Sequence, residues 1–115
     1  MMDSEEHKRS RTKEQNELMW AGPLKDIETQ VFFEGRMFER KVWHEQFKEW
    51  FLPEQFDPEL TKAGYVKWQM MPNGRMQLVG STTELTVKGF SDYLEQIYAF
   101  GAERGVEFHA VPRLL

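Results

Sequence analysis

The sequence predicts one α+β domain in which three main helices pack with a small antiparallel β-hairpin sheet. Apolar residues recur at helical spacing in three separate segments, and an Asn-Gly pair at 73–74 lies between two alternating runs, which is typical of a tight hairpin. A length of 115 residues suits a single hydrophobic core. We therefore expect a flexible polar tail over residues 1–10 and one domain over residues 11–115.

The composition excludes several classes of protein. The chain has no cysteine, which rules out disulfides and thiolate metal sites, and its three histidines are too scattered to place two metal ligands on one helix face. No apolar run approaches the roughly 18 residues of a membrane span. The net charge of −4 argues against nonspecific, charge-driven binding of nucleic acid. We expect a cytoplasmic protein, in the host cell if it is phage-encoded, with no metal, cofactor or membrane contact.

The first helix is predicted to begin at Lys13. Thr12 and Gln15 have the spacing of a capping box, which satisfies two free backbone amides at a helix start. The helical register continues through Gly22 and Pro23. Its apolar positions are Trp20, Leu24, Ile27 and Val31. Pro23 removes one backbone hydrogen bond, so it either bends one long helix, which we favour, or begins a second helix.

A second helix is predicted from about Glu39 to Phe51. Gly35 marks a turn before it, and Pro53 ends it because proline cannot continue a helix. The inward face is expected to consist of Trp43, Phe47 and either Trp50 or Phe51. An irregular connection over residues 53–64 then leads to the hairpin.

The hairpin is predicted over residues 65–79, with its turn at 72–74. Alternation gives the first strand one apolar face, consisting of Val66, Trp68 and Met70, and the second strand another, consisting of Met76 and Leu78. The side chains expected to point the other way are Lys67, Gln69, Arg75 and Gln77.

The third helix has the clearest apolar pattern. Thr86 is suited to cap its start, and Gly105 is suited to end it after Arg104. The expected apolar stripe consists of Val87, Phe90, Leu94, Ile97 and Gly101. A short extended segment, residues 106–108, is expected to add to a sheet edge.

The sequence carries no catalytic motif. It lacks the glycine-rich phosphate loops, the G-x-S-x-G nucleophile elbow and the H-E-x-x-H zinc motif. Its carboxylate pairs are more typical of a solvated face than of an acid-base dyad. We therefore expect a binding protein without a catalytic residue.

Two sets of residues have both a nucleic-acid interpretation and a structural one. Arg11, Gln15 and Asn16 lie at a helix start, where they can contact phosphates and base edges or simply cap the helix. The four tryptophans can stack on unpaired bases, although core packing is favoured for Trp20 and Trp43, and the two interpretations are balanced for Trp68.

A third set surrounds the hairpin and is rich in hydrogen-bond donors. It consists of Lys67, Arg75 and Lys88 with the hydroxyls of Ser81, Thr82 and Thr83. These residues can face phosphates, or they can be ordinary charges and hydroxyls on the edge of a hairpin. The sequence favours neither interpretation.

Three ordered blocks resemble the phage NinB (Orf) recombination proteins. They are RTKEQNELMWA from Arg11, LKDIETQVFFEGR from Leu24 followed by Val42-Trp43 and Phe47, and GSTTELTVKGFSDYLEQIYAFGAERGVEF from Gly80 to Phe108. The last block is similar to the family's loop, amphipathic helix and Ala-Phe-Gly-x-Glu-Arg-Gly-Val ending. Family members usually carry an additional N-terminal strand and helix region that this chain lacks, and Phe33 stands where they have tryptophan.

The resemblance implies a homodimeric α+β protein that binds single-stranded DNA, contacts the host single-strand-binding protein and assists recombinase loading. Carried over by position, it implies a polar opening, a Gly-Arg turn at Gly35 and Arg36, and a Ser/Thr loop. With the hairpin set, the expected nucleic-acid-binding residues are Arg11, Gln15, Asn16, Trp20, Arg36, Lys67, Trp68, Arg75, Ser81, Thr82, Thr83 and Lys88. The alternative hypothesis is a protein-interaction module that binds a host repair or single-strand-binding protein without binding DNA.

Overall fold

The computed structural model describes residues 13–109, and within them it has an α+β fold with three helices and a two-stranded antiparallel sheet. Helix α1 covers residues 13–30, helix α2 covers Arg40–Phe51 and helix α3 covers Val87–Glu103. Strands β1 (Trp68–Met70) and β2 (Met76–Leu78) form the hairpin. The predicted fold class is confirmed. The predicted tail over residues 1–10 and the predicted cap at Thr12 lie outside the described residues.

Helix α1 runs through Pro23 without a break. It is α-helical over residues 13–19, π-helical over Trp20–Leu24 and α-helical again over Lys25–Gln30. Proline lacks a backbone N–H and its ring collides with the preceding turn of an α-helix, so the wider π turn accommodates it. The continuous helix that we favour is confirmed. Because the π turn adds one residue, the fully buried side chain one turn before Leu24 is Met19, whereas Trp20 is only partly buried.

Aromatic rings of α2 and α3 dominate the hydrophobic core. Trp43 and Phe47 stack with 5.4 Å between ring centroids, and Phe100 of α3 meets Phe47 edge to face at 5.2 Å. Each such pair is favourable by about 0.5–1.5 kcal/mol beyond the apolar area it buries. The predicted apolar faces of α2 and α3 are confirmed apart from Val87, which is exposed at the start of α3.

The hairpin forms within the predicted segment, but most of its strand residues are exposed on both faces. Trp68 pairs with Leu78 and Met70 with Met76, so these four side chains share one face. Met70 and Met76 are more than half exposed, whereas Lys67 just before β1 is 1% exposed. The hairpin therefore turns a lysine toward the interior and leaves methionines in solvent.

Two glycines allow the close contacts and tight ending of α3. The Thr86 hydroxyl caps the helix by accepting a hydrogen bond from the Gly89 N–H at 3.0 Å, and a Cβ at Gly89 would lie only 2.0 Å from the carbonyl oxygen of Leu60. At the other end Gly105 adopts φ 78°. Its N–H and that of Val106 donate to carbonyls of the last turn, which is the Schellman ending. Both predicted helix ends are confirmed.

The segment after α3 is held by side chains of α1. Gln30 accepts a hydrogen bond from the Glu107 N–H at 2.8 Å and donates one to the Glu107 carbonyl at 2.9 Å. The buried Asp26 carboxylate accepts from the His109 N–H at 2.8 Å and lies 2.7 Å from its Nδ1. The predicted pairing of residues 106–108 with a sheet edge is wrong, because Gln30 takes the hydrogen bonds that a neighbouring strand would have made.

Candidate nucleic-acid interface

The structure distributes the predicted binding residues over several separate places. Arg11 lies outside the described residues. Gln15 lines a cavity of about 440 Å³ between α1 and α3, and Asn16 is partly buried beside it in the chain. Trp20 packs on the ring of His44 in α2, with 4.6 Å between ring centroids. Of these residues, Gln15 and Trp20 therefore face neighbouring helices.

The Lys67 side chain has a structural role at the end of α2. Its ammonium group donates to the carbonyl oxygens of Glu49 at 2.7 Å and Leu52 at 3.0 Å, and it lies 2.5 Å from the Glu54 carboxylate. These two carbonyls belong to the end of α2, where backbone oxygens lack helical partners and the helix dipole favours a cation. The predicted phosphate contact at Lys67 is contradicted, because its side chain has no exposed surface and its donors are occupied.

Trp68 and Arg75 lie together on the hairpin. Trp68 donates from Nε1 to Glu54 at 3.1 Å, and the hydrogen bonds from Lys67 and then from Trp68 hold the pKa of the Glu54 carboxyl below its usual value. Trp68 and the exposed Arg75 line a shallow cavity of about 640 Å³ with Met76 and Leu78. This pair remains accessible, and the cavity lining around it is a mixture of polar and apolar residues that includes the carboxylate residue Glu49.

The Ser/Thr loop is occupied by its own hydrogen bonds. Ser81 and Glu84 form a capping box, in which the Ser81 hydroxyl accepts from the Thr83 N–H and the Glu84 carboxylate accepts from the Ser81 N–H. Thr82 is buried, and the Thr83 hydroxyl contacts that of Ser81 at 2.8 Å. On α3, Lys88 pairs with Asp92 at 3.2 Å. These contacts leave few free donors for a phosphate.

A different surface combines one exposed and two partly buried aromatic rings with guanidinium groups. We call it the aromatic-arginine face, and it consists of Phe33, Arg36, Phe38, Trp50 and Arg104. Phe33 and Arg36 exchange two backbone hydrogen bonds, of 2.7 and 3.0 Å, across a two-residue turn with positive φ at both central positions. This turn, which Gly35 predicted, brings Phe33 to 6.4 Å from Trp50 between ring centroids. Trp50 is 43% exposed.

Both arginines of this face lie over aromatic rings. The Arg104 guanidinium lies 3.9 Å from the centroid of Phe100 and 5.6 Å from that of Phe33, and it also donates to the Phe100 carbonyl at 3.2 Å. Arg36 lies 5.3 Å from the centroid of Phe38, and within residues 13–109 it has no carboxylate partner. Arg104 and the Glu103 carboxylate are 3.8 Å apart. Guanidinium groups held in this way keep N–H donors free for phosphate.

The sequence singles out Arg36 as a binding residue, but it singles out neither Trp50 nor Arg104. The sequence allows Trp50 to be either a core residue or a stacking ring, and the structure leaves it at the surface between two cavities. Arg104 follows Phe100 by four residues, which places it over that ring on one helix face. This spacing is the signal that the sequence offers for Arg104.

Among the remaining titratable groups, His44 is partly buried beside Trp20. Burial and then the nearby Lys48 lower the pKa of His44 to about 4, so this ring is neutral at neutral pH. Among residues 13–109, no group of three or more His, Asp or Glu side chains could hold a metal ion. In that same part of the chain, no helix has the length and apolarity needed to cross a membrane.

Comparison with known proteins identifies relatives over nearly the whole chain. The family model described as NinB protein matches residues 3–109. The chain is 33% identical over 107 residues to NinB of Salmonella phage P22, to NinB of Enterobacteria phage P21 and to NinB of Escherichia phage lambda. The match covers 92% of this chain but only 65–66% of each relative's length. No solved structure gives a significant match. The chain belongs to the NinB family.

Proposed function

We propose that this protein binds single-stranded DNA through its aromatic-arginine face, without strong sequence preference, and assists recombinase loading in phage recombination. The observation that carries the proposal is the exposed Trp50 ring on a face that also holds two arginines, Arg36 and Arg104. Membership of the NinB family supports it, because these residues lie inside the matched region.

The chemistry of the face suits an unpaired strand better than a duplex. Every base has a flat ring that can stack on an aromatic side chain, and stacking contributes about 1–3 kcal/mol per base. Arginine adds donors for the phosphates that flank the stacked base. Local placement of Arg36 and Arg104 allows this contact although the net charge of the chain is −4.

The active form in this proposal is a homodimer. One aromatic-arginine face offers two guanidinium groups, which is a small footprint for a strand that must be held along its backbone. Two such faces would double the number of phosphate contacts. The binding constant should then fall more steeply with salt, because each phosphate contact in single-stranded DNA adds about 0.7 to the slope of log K against log salt concentration.

Fluorescence anisotropy with a labelled oligonucleotide tests the proposal. Trp50→Ala should weaken binding about 10-fold or more through the loss of stacking. Arg104→Gln and Arg36→Gln should each weaken binding and reduce the salt slope by about 0.7 for each phosphate that is no longer neutralised. Trp68→Ala is the matched control, since Trp68 is partly exposed on the hairpin and should leave affinity unchanged. Absence of binding at low salt, or equal effects of the two tryptophan variants, would overturn it.

A second candidate function is a protein-interaction module that binds a host repair or single-strand-binding protein without DNA. The hairpin favours it, because Val66, Met70, Met76 and Val79 expose 46–62% of their surface. A pull-down from nuclease-treated host lysate separates the two functions. A partner retained without DNA, and released by Met70→Lys, would support this candidate, provided that the oligonucleotide assay is negative.

A further inference from the structure

Trp50 separates two cavities on the aromatic-arginine face. The smaller cavity, of about 100 Å³, is lined by α2 and by the segment between α1 and α2. The larger one, of about 370 Å³, is lined by α3, by Arg104 directly after it and by the end of α2. Among the described residues, only Trp50 lines both cavities. Its side chain therefore stands between them.

The aromatic rings around Trp50 meet it at an angle. In the described part of the chain, four rings lie 5.7–6.4 Å from that of Trp50 between centroids and are inclined to it by 42–64°; they belong to Phe33, Phe47, Phe51 and Phe100. A nucleic-acid base, in contrast, stacks parallel to an aromatic side chain. Because these neighbours are inclined and Trp50 is 43% exposed, parallel stacking on the indole is left to a ligand.

Arg104 lies beside both cavities. It lines the larger one, and its guanidinium is 5.6 Å from the ring centroid of Phe33, which lines the smaller one. Glu103 also lines the larger cavity, with its carboxylate 3.8 Å from Arg104. At that distance the two groups are not hydrogen-bonded, so the guanidinium keeps donors for a phosphate. Two consecutive bases of a strand are joined by one phosphate, and an arginine near both cavities suits a contact with it.

An unpaired strand can place one base on each side of a protein side chain. Stacked bases of one strand are about 3.4 Å apart, and a ring between them increases this separation to roughly 7 Å. Apolar side chains of several DNA-bending proteins enter between neighbouring bases in this way. The energetic cost of separating the bases is smallest when the strand is already single. Two cavities divided by one exposed ring therefore match two consecutive unpaired nucleotides.

We propose that Trp50 inserts between two consecutive bases of single-stranded DNA, with one base lying over each cavity and Arg104 contacting the phosphate that joins them. The proposal rests on the function proposed above and adds the binding unit, which is two adjacent unpaired nucleotides. Ala99 is a small, exposed residue that lines the larger cavity, so it leaves room for the second base.

The test uses two strands of about 12 nucleotides, a length within the usual range of single-strand sites. Both contain equal numbers of thymidines and abasic sites. In one strand the thymidines occur in adjacent pairs, and in the other they alternate with abasic sites, so length, charge and base count are the same. Fluorescence anisotropy should show about 10-fold tighter binding of the paired strand, because only this strand offers a second adjacent base for stacking.

Two variants locate the effect. Trp50→Leu removes the ring and should make the affinities for the two strands nearly equal. Ala99→Leu narrows the larger cavity without altering Trp50, and it should reduce the ratio of the two affinities to about twofold. Ala102→Leu is the matched control and should keep the wild-type ratio, because Ala102 is exposed on α3 and lines neither cavity. Thermal melting checks that each variant folds.

Each outcome separates the two proposals. If the wild-type protein binds neither of these strands nor oligothymidine at low salt, the proposed function fails and the insertion of Trp50 fails with it. If oligothymidine binds and the two mixed strands bind with equal affinity, the function stands and the two-base unit is overturned.

The variants give two further ways to overturn the insertion. If the wild-type ratio persists in Trp50→Leu, adjacent bases are recognised elsewhere on the protein. If it persists in Ala99→Leu, the second base does not lie over the larger cavity, which then suits another occupant, such as an apolar side chain of a protein partner.

Discussion

The Nζ atom of Lys67 lies 2.7 Å from the carbonyl oxygen of Glu49, so a residue of the hairpin segment closes the last turn of helix α2. The same ammonium group also binds the Leu52 carbonyl and the Glu54 carboxylate. Removing it would leave two carbonyl oxygens without a partner at a place that the hairpin covers.

Lys67→Met should lower the free energy of unfolding by about 2–3 kcal/mol, because methionine retains the apolar stem but not the charged donors. Urea denaturation measures the effect. Lys62→Met is the control, since Lys62 is exposed and its ammonium group donates one hydrogen bond, to the Thr83 carbonyl. Lys62→Met should change the free energy of unfolding by no more than about 0.5 kcal/mol. Equal losses of unfolding free energy in the two variants would show that the buried contacts of Lys67 contribute no more than those of an exposed lysine.

Gly89→Ala should destabilise the fold by about 3 kcal/mol, because the added Cβ would lie 2.0 Å from the Leu60 carbonyl oxygen and the connection to α3 must move away. In an exposed helix the same change would be stabilising. Thermal melting of Gly89→Ala and of Ser91→Ala, an exposed position two residues further along α3, makes the comparison. A Gly89→Ala protein as stable as the wild type would mean that Leu60 does not pack against this helix.

His44 should make stability depend on pH between about 4 and 6.5. Burial lowers the pKa of the folded His44 to about 4, below its ordinary value of 6.5. In that interval the unfolded chain binds a proton that the folded protein does not, so stability is full above pH 6.5 and falls as the pH drops toward 4. We expect a loss of about 2 kcal/mol, allowing for the partly exposed ring.

His44→Gln should remove this component, since glutamine does not titrate. Urea unfolding at pH 7 and at pH 5 for both proteins gives the difference directly. The parent protein should lose more stability than the variant on acidification. Equal losses of stability in the parent protein and in His44→Gln would show that a group other than His44 titrates in this interval.

Gln30→Ala should speed amide hydrogen exchange at Glu107, because the Gln30 side chain accepts the hydrogen bond of that amide. Asp26→Asn keeps an acceptor for the His109 amide and should have a smaller effect there than Asp26→Ala. Exchange measured by NMR resolves the two positions. Unchanged protection at Glu107 in Gln30→Ala would indicate that the packing of Phe108 on Gly101, not the side-chain hydrogen bonds, holds this segment.

Local signals predicted the helices and turns well. Thr86, Gly105 and Gly35 each act within four residues of their own position, so their roles can be read from neighbouring sequence. The same holds for the buried stripe from Phe90 to Ile97, which follows simple helical spacing.

Local sequence patterns could not predict the contacts between segments that are distant in the sequence. The burial of Lys67 depends on where the residue that precedes β1 meets the end of α2, and alternation cannot decide that. Likewise Arg104 reaches Phe33 only because α3 lies beside the turn that follows α1. The aromatic-arginine face therefore combines a tryptophan that the sequence could not assign to core or surface with an arginine whose pattern predicted only a helix end.

The π turn at Pro23 also sets the rotational phase of α1. One additional residue turns everything before it by about 100° relative to an uninterrupted α-helix. The side of residues 13–19 that meets α3, and the opposite side that faces outward, are thus determined by a proline several residues later. A relative with an ordinary residue at this position could have the same amino acids over residues 13–19 and still present a different surface.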